Sequence, residues 1–226
     1  MKWLKILAGA AAGLYALYYF AFPTYTHKFR LTFQVEVDGK VKEGSSVITV
    51  YDKDLQWMPL VQKRWRRWAR GPSPWIDLGE RGIILVSMTP HGRYEPRPFS
   101  VAALSFAAYF DARPESNKIE LEYIKKISSE HGIRQLMKGQ LPSFIWFPSP
   151  MKPSSAKVVA PKQFPEIVGP DVKLGLVTVE ITNAEPNRSL YDKLPWLAEL
   201  ERQQVEHGMK WSEEFVLNAS DLVGDL

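Results

Sequence analysis

The chain has 226 residues, of which 45% are hydrophobic, and it carries a formal net charge of +4. It contains no cysteine, which excludes disulfide bonds, thiolate metal sites, a cysteine nucleophile and an acylated lipoprotein cysteine. Residues 1–27 hold two lysines and no acid, so subtracting these two charges leaves +2 for residues 28–226. This small excess argues against nucleic acid as a partner.

The N-terminal segment, residues 1–27, has the features of an uncleaved transmembrane signal anchor. Two lysines precede the uncharged run Ile6–Phe22, whose 17 residues would span about 26 Å as a helix. That is the short end of what a bilayer core needs, and residues 3–22 are predicted to contact lipid. A cleaved signal peptide ends in small residues, whereas Tyr15–Phe22 is bulky and aromatic. A cleaved signal and a buried core helix remain the alternatives.

The anchor also suggests an orientation and a self-association. A short basic N-terminus before an apolar run favours a cytoplasmic N-terminus and an external domain, although Lys28 and Arg30 follow the run closely. Gly9 and Gly13 form a GxxxG pattern, which lets two helices approach closely in lipid. A homodimer through this helix is therefore predicted as one option. The other is that small residues are simply common in signal sequences.

The rest of the chain is predicted to be one α+β domain, residues 28–208, followed by a mobile tail, residues 209–226. Apolar residues alternate from Phe29 to Val37, Asp38-Gly39 is a hairpin turn signal, and residues 45–51 can return as a strand. Further strands are predicted at Trp75–Leu78, Ile83–Met88, Phe144–Phe147 and Leu174–Thr182, and helices at 54–70, Val101–Phe110, 116–138 and from Pro195. Residues 148–170, rich in proline, are predicted to be irregular. Strands grouped in hairpins favour a mainly antiparallel sheet.

The predicted helix at 54–70 carries the sharpest chemical feature, a mixture of tryptophan and cationic residues. The candidate contact residues are Lys63, Arg64, Trp65, Arg66, Arg67, Trp68 and Arg70. On a helix, the aromatic rings would lie on one face and most cations on the other, an arrangement that can rest on an anionic membrane. Phosphate clamping with base stacking is a second option. The third is that the tryptophans pack on a sheet while the cations face solvent.

No catalytic, metal-binding or cofactor-binding motif is present in the sequence. The four histidines lack the spacing of a zinc site, and no Walker loop, G-x-G-x-x-G or G-x-S-x-G is found. His91 lies in a loop beside Arg93 and Tyr94, where an acid–base role is conceivable and a solvated turn is the simpler interpretation. We therefore expect no cofactor and no metal ion, and the sequence favours a non-enzymatic role.

Four stretches resemble a group of bacterial membrane-anchored proteins of unknown function. They are FRLTFQVEVDGKVKEGSSVITV (29–50), WIDLGERGIILVSM (75–88), VKLGLVTVEITNAEP (172–186) and KLPWL (193–197). The resemblance implies a bacterial envelope protein and transfers no catalytic residue. Together with the anchor, it predicts a single-pass protein of the inner membrane, with a periplasmic domain that binds or assembles with an unknown envelope partner. The alternatives are an envelope enzyme, such as a hydrolase with a dispersed site, and a cytoplasmic domain that uses residues 63–70.

Overall fold

The computed structural model describes residues 21–55, 65–90, 99–111, 121–187, 189–207 and 220–223, together with residues 6, 9, 11 and 13. Most of the predicted anchor lies outside these residues. Gly9 and Gly13 are helical and exposed, and dimerisation through them stays a prediction. Within the described part of the chain, none of the helices combines the length and the apolar character needed to cross a membrane.

From Thr24 onwards, the described residues form nine strands and five α-helices. The strands are β1 (Thr24–Val37), β2 (Lys40–Asp54), β3 (Trp65–Arg70), β4 (Trp75–Asp77), β5 (Ile83–Val86), β6 (Ile133–Gln135), β7 (Phe144–Phe147), β8 (Lys157–Val159) and β9 (Val172–Ile181). The helices are α1 (Val101–Phe110), α2 (Leu121–Lys126), α3 (Ser189–Lys193), α4 (Leu197–His207) and α5 (Ser220–Val223). Short helical turns connect several of these elements.

The strands form two antiparallel sheets, which confirms the α+β class and replaces the single predicted sheet. The first sheet has the order β3-β2-β1-β9-β6, and the second has the order β4-β5-β7-β8. The predicted hairpin of β1 and β2 is confirmed, with Phe33 opposite Gly44. Asp38 and Gly39 have φ angles of 51° and 74°. Positive φ at both central residues is what a tight hairpin turn with the strand twist requires.

The two sheets pack face to face and share the main core. We call the face of the first sheet that lies against the second sheet its inner face, and the opposite face its outer face. The rings of Phe33 in β1 and Phe144 in β7 meet across this interface with centroids 5.5 Å apart. Every residue of β5 and β7 is buried. These strands are uniformly apolar because Leu190, Leu197 and Leu222 of the C-terminal helices cover their other side.

Helix α1 lies against the inner face near the start of β1. Val101 to Ala107 are all buried, since the helix contacts the first sheet and, through Phe106, also α2. Phe106 joins Ile124 and Ile127 in a small second cluster under α2. A helix that is apolar on every side is typical of such a fully buried position. Ser105, the one polar residue in its middle, is therefore placed deep in the protein.

Three sequence predictions are corrected by the structure. The helix predicted over residues 54–70 is absent at both described ends, because Asp54 ends β2 and Trp65–Arg70 is strand β3. The helix predicted over 116–138 is limited, in its described part, to α2 and a 3-10 turn that ends at Ser129. Residues 148–170 contain β8 and a series of short helical turns. The segment is therefore not irregular throughout, and its residues Val159 and Phe164 are buried in the core.

Residues Ser220–Val223 lie within the predicted tail and contact the domain. The N–H groups of Gly71 and Ser73 donate to the carbonyl oxygens of Val223 and Leu222, at 3.0 and 2.8 Å. Leu222 is completely buried in the cluster beneath the second sheet. This segment therefore covers the connection between β3 and β4.

Candidate functional site

Strand β3 separates the predicted tryptophan and cation residues onto two faces of the first sheet. Successive side chains of a strand point to opposite sides. Trp65 and Arg67 accordingly point to the inner face, whereas Arg66, Trp68 and Arg70 point to the outer face. Lys63 and Arg64 lie outside the described residues. The structure thus divides the predicted site into a buried part and an exposed part.

The buried cluster consists of Arg67, Asp52, His27 and Ser105. Arg67 Nε donates to Asp52 Oδ1 at 2.5 Å, and Asp52 is 0% exposed. The guanidinium carbon of Arg67 also lies 4.2 Å from the centre of the Phe106 ring. His27 Nε2 lies 2.8 Å from Ser105 Oγ. β1, β2 and β3 therefore each contribute one charged or titratable side chain, and these side chains face helix α1.

Burial sets the protonation states in this cluster. It lowers the pKa of His27 to about 3, and the positive charge of Arg67 acts in the same direction. Burial also raises the pKa of Asp52, against the charge and the hydrogen bond of Arg67. The pKa of Arg67 is lowered by burial, although an arginine stays protonated at neutral pH. The cluster therefore contains a neutral histidine and an arginine whose charge faces the Asp52 carboxyl.

His27 and Ser105 are as close as a catalytic base and its serine nucleophile, but the burial of both side chains gives the contact a structural role. A base is most effective when its pKa lies near the working pH, and a histidine with a pKa of about 3 is too weak. Ser105 is 0% exposed and belongs to a buried helix, so no substrate can reach its hydroxyl group. The hydrogen bond instead satisfies two polar groups that folding removes from water.

The outer cluster consists of Tyr51, Arg66, Trp68 and Arg70. The rings of Tyr51 and Trp68 are stacked with centroids 5.3 Å apart and planes only 9° from parallel. The guanidinium of Arg66 lies 5.7 Å from the Trp68 ring, and that of Arg70 lies 6.0 Å from the Tyr51 ring. Both arginines are exposed, and within the described residues neither forms an ion pair. Their charges are available to an external anion.

A shallow depression of about 450 Å³ lies beside the outer cluster. Tyr51 belongs to both features, because it lines the depression as well as stacking on Trp68. The other residues that line it include Thr26, His27, Lys28, Thr49 and Thr182. Lys28 forms an ion pair of 2.6 Å with Glu185, which is itself 80% exposed. Hydroxyl groups and one ammonium group therefore surround the depression.

The other candidates of the sequence analysis do not join these clusters. His91 lies outside the described residues, and His131 is an exposed residue between α2 and β6. In the part of the chain that the structure describes, no three histidine or acidic side chains are grouped so that they could hold a metal ion.

The inward direction of three charged or titratable side chains, those of His27, Asp52 and Asp54, was not predicted. The alternation of β1 extends back from Phe29 to His27, and that of β2 extends forward through Asp52 to Asp54. Acids on the core-facing phase of a strand require a partner, because a buried charge must be paired. This was the available signal for a buried cation nearby.

No family model, curated protein or solved structure matches the chain. Function must therefore be inferred from the residues and geometry described above, and the resemblance to bacterial membrane-anchored proteins stays an expectation.

Proposed function

We propose that the protein is a single-pass protein of the bacterial inner membrane whose periplasmic domain acts as a binding or assembly module. The supporting observation is the direct connection between the apolar run and the first sheet. The Asp54 N–H donates to the Pro23 carbonyl oxygen at 3.0 Å, and β1 begins at the next residue, Thr24. A segment embedded in a bilayer up to Phe22 would therefore hold the central strand of the sheet at the membrane surface.

A binding role accounts for the distribution of polar groups better than catalysis does. His27, the described histidine that contacts a hydroxyl group, is buried, whereas the exposed outer face offers cations, aromatic rings and hydroxyl groups. Such a surface can recognise a ligand without a reacting centre. An enzymatic role would need other groups, for example His91.

Topology in cells tests this proposal. We would fuse an enzymatic reporter that is active only in the periplasm after Leu226, and we would follow the N-terminus by immunoblot. An active reporter on a full-length, membrane-bound product is expected, and crosslinking would then search for the envelope partner. An active reporter on a shortened, soluble product would mean a cleaved signal. An inactive reporter on a membrane-bound product would place the domain in the cytoplasm.

A matched control tests whether the apolar run is the cause. Leu14→Arg combined with Leu17→Arg places two charges within Ile6–Phe22, where each is costly in lipid. We expect this chain to lose its membrane association and its reporter activity. Retention of both would show that another segment targets the protein.

A further inference from the structure

On the outer face near the start of β1, the facing residues of β1, β2 and β3 include cations and no acid, and Glu185 borders them through its ion pair with Lys28. Three cross-strand rows run over β1, β2 and β3, and they are Thr24–Lys53–Arg66, Thr26–Tyr51–Trp68 and Lys28–Thr49–Arg70. Cross-strand neighbours on one face are in contact distance, so each row is a continuous strip of surface. The nine residues include four cations, three threonines, two aromatic residues and no acid. Negatively charged ligands are the chemical complement of such a surface.

The distance of these rows from the end of the apolar run indicates which anionic groups lie nearest to them. Thr24 is the residue that follows Pro23, and Arg66 lies two strands away, which is about 10 Å at the usual strand spacing. Arg70 lies four residues further along β3, about 13 Å at the usual rise. With the apolar run in a bilayer, the first row would lie at headgroup level. The phosphate groups of the same membrane are then the anions within reach.

The chemistry of the surface also fits a lipid headgroup. Arginine forms two parallel hydrogen bonds to a phosphate, and Trp and Tyr rings are favoured at membrane interfaces. The depression supplies hydroxyl groups beside the guanidinium of Arg70, and the Lys28 ammonium there is shared with Glu185. Its volume of about 450 Å³ gives space for the phosphate and the alcohol of one headgroup.

We infer that the outer cluster and the adjoining depression bind the headgroup of an anionic phospholipid in the membrane that holds the N-terminal segment. This inference rests on the proposed function, since the anchor keeps the surface next to lipid. The domain would then be oriented on the membrane through its β3 edge, with the far end of the β1–β2 hairpin directed away from the lipid.

Native mass spectrometry of the purified full chain in detergent tests this inference. The chain receives equal amounts of phosphatidylglycerol and phosphatidylcholine at constant ionic strength, and the ratio of the two adducts is measured. We expect phosphatidylglycerol to be enriched about tenfold, because each cation near an anionic headgroup adds to its attraction. Arg66→Glu with Arg70→Glu is expected to bring the ratio close to one. An unchanged ratio would overturn the inference.

The control is Lys152→Glu with Lys162→Glu, which changes the net charge equally at exposed positions of the 148–170 segment. We expect this variant to keep the phosphatidylglycerol enrichment. An equal loss of enrichment in the lysine variant and the arginine variant would mean that only the net charge matters, and it would overturn the proposed site. Thr49→Val changes no charge and is expected to lower phosphatidylglycerol binding through the lost hydroxyl group, while near-ultraviolet circular dichroism verifies the fold. Unchanged phosphatidylglycerol binding in Thr49→Val would show that the depression is not part of the binding site.

Competition identifies the source of the anion. Displacement of phosphatidylglycerol by inorganic phosphate would indicate a free anion, and displacement by a single-stranded oligonucleotide would indicate nucleic acid; either result would overturn the lipid assignment. The measurement does not depend on topology in cells. A failure here together with an active periplasmic reporter would remove the lipid contact and leave the envelope placement in force.

Discussion

The two faces of strands β2 and β3 carry similar side chains in opposite surroundings. On the inner face, Arg67 contacts Asp52, whose side chain is 0% exposed. On the outer face, Arg66 and Arg70 are exposed and lie over aromatic rings. The arginines on the two faces are neighbours in sequence, and only the alternation of the strand separates them. The same residue type is therefore structural on one face and available to a ligand on the other.

The inner pair also helps to explain how the outer face is presented. A buried ion pair contributes little net stability, because both groups lose their hydration. A shift of β3 by one residue, however, would turn Arg66 and Trp68 inward and leave Asp52 without Arg67. The pair thus favours a single register for a short strand at the edge of the sheet. The exposed arginines also discourage edge-to-edge association of that strand.

The largest expected effect comes from removing one partner of the buried pair. Arg67→Met leaves the Asp52 carboxyl buried and unpaired, and we expect a loss of about 3–5 kcal/mol in the free energy of unfolding. Denaturant unfolding of the full chain in mild detergent measures it. Asp52→Leu combined with Arg67→Met should recover most of the loss. If the double variant is as unstable as Arg67→Met, the unpaired Asp52 carboxyl is not the cause of the lost stability.

Gly44→Ala tests how tightly the inner face packs at a position outside the buried cluster. A Cβ atom at Gly44 would lie 2.2 Å from the carbonyl oxygen of Trp75 and 2.8 Å from the Ile76 side chain. The backbone must move, and we expect a loss of about 3 kcal/mol by thermal or denaturant unfolding. Gly139→Ala is the control, because a Cβ atom there meets no other atom within 4 Å. Equal stability of the two variants would mean that the sheets adjust freely.

The protonation of His27 predicts a pH dependence of stability. The pKa of His27 is about 3 in the folded protein and 6.5 ordinarily, so the neutral form is favoured by folding. Its contribution is complete above pH 6.5 and is lost as the pH falls towards 3, by at most about 1.4 kcal/mol per pH unit. His27→Gln should remove this part of the slope. The raised pKa of Asp52 acts in the opposite sense and is present in both chains.

The difference between wild type and His27→Gln therefore isolates the histidine. Denaturant midpoints measured from pH 7 to pH 4 should converge as the pH falls. Parallel curves would show that His27 titrates in the folded protein as it does in the unfolded chain.

The smallest effect is expected at the outer cluster. Arg66→Met, the same substitution as at Arg67, removes an exposed cation from above the Trp68 ring. We expect less than about 1 kcal/mol of lost stability, since exposed contacts of this kind contribute little. Denaturant unfolding beside Arg67→Met gives the comparison directly. A loss as large as that at Arg67 would mean that the outer cluster is also structural.

The regular part of the fold was predictable from local patterns. Strict alternation identified β1 and β9, and the Asp38-Gly39 turn fixed the pairing of β1 with β2. The uniformly apolar strands β5 and β7 were also found, but their burial on both sides was not. That burial depends on helices more than 40 residues further along the chain, which no local pattern reveals.

The candidate site was only half predictable. Its residue types were identified, but Trp65 and Trp68 are three positions apart, which also fits a helix. If the segment is a strand, the Arg67 side chain must point into the core. A buried arginine is unfavourable by itself, and it becomes acceptable only because Asp52 lies opposite in β2. A contact between two strands decided the structure of the segment, and the sequence of the segment alone does not contain it.

The pairing of β1 with β9 has a consequence for the way the chain is made. Phe29 pairs with Ile181, which is 152 positions later. At a synthesis rate of about 5–20 residues per second, the second partner strand arrives roughly 8 to 30 s after the first half of the hairpin. During that interval one edge of β1 has no neighbour, although its side chains are among the most apolar of the domain. The unpaired edge therefore leaves the nascent chain exposed to aggregation until β9 has paired with β1.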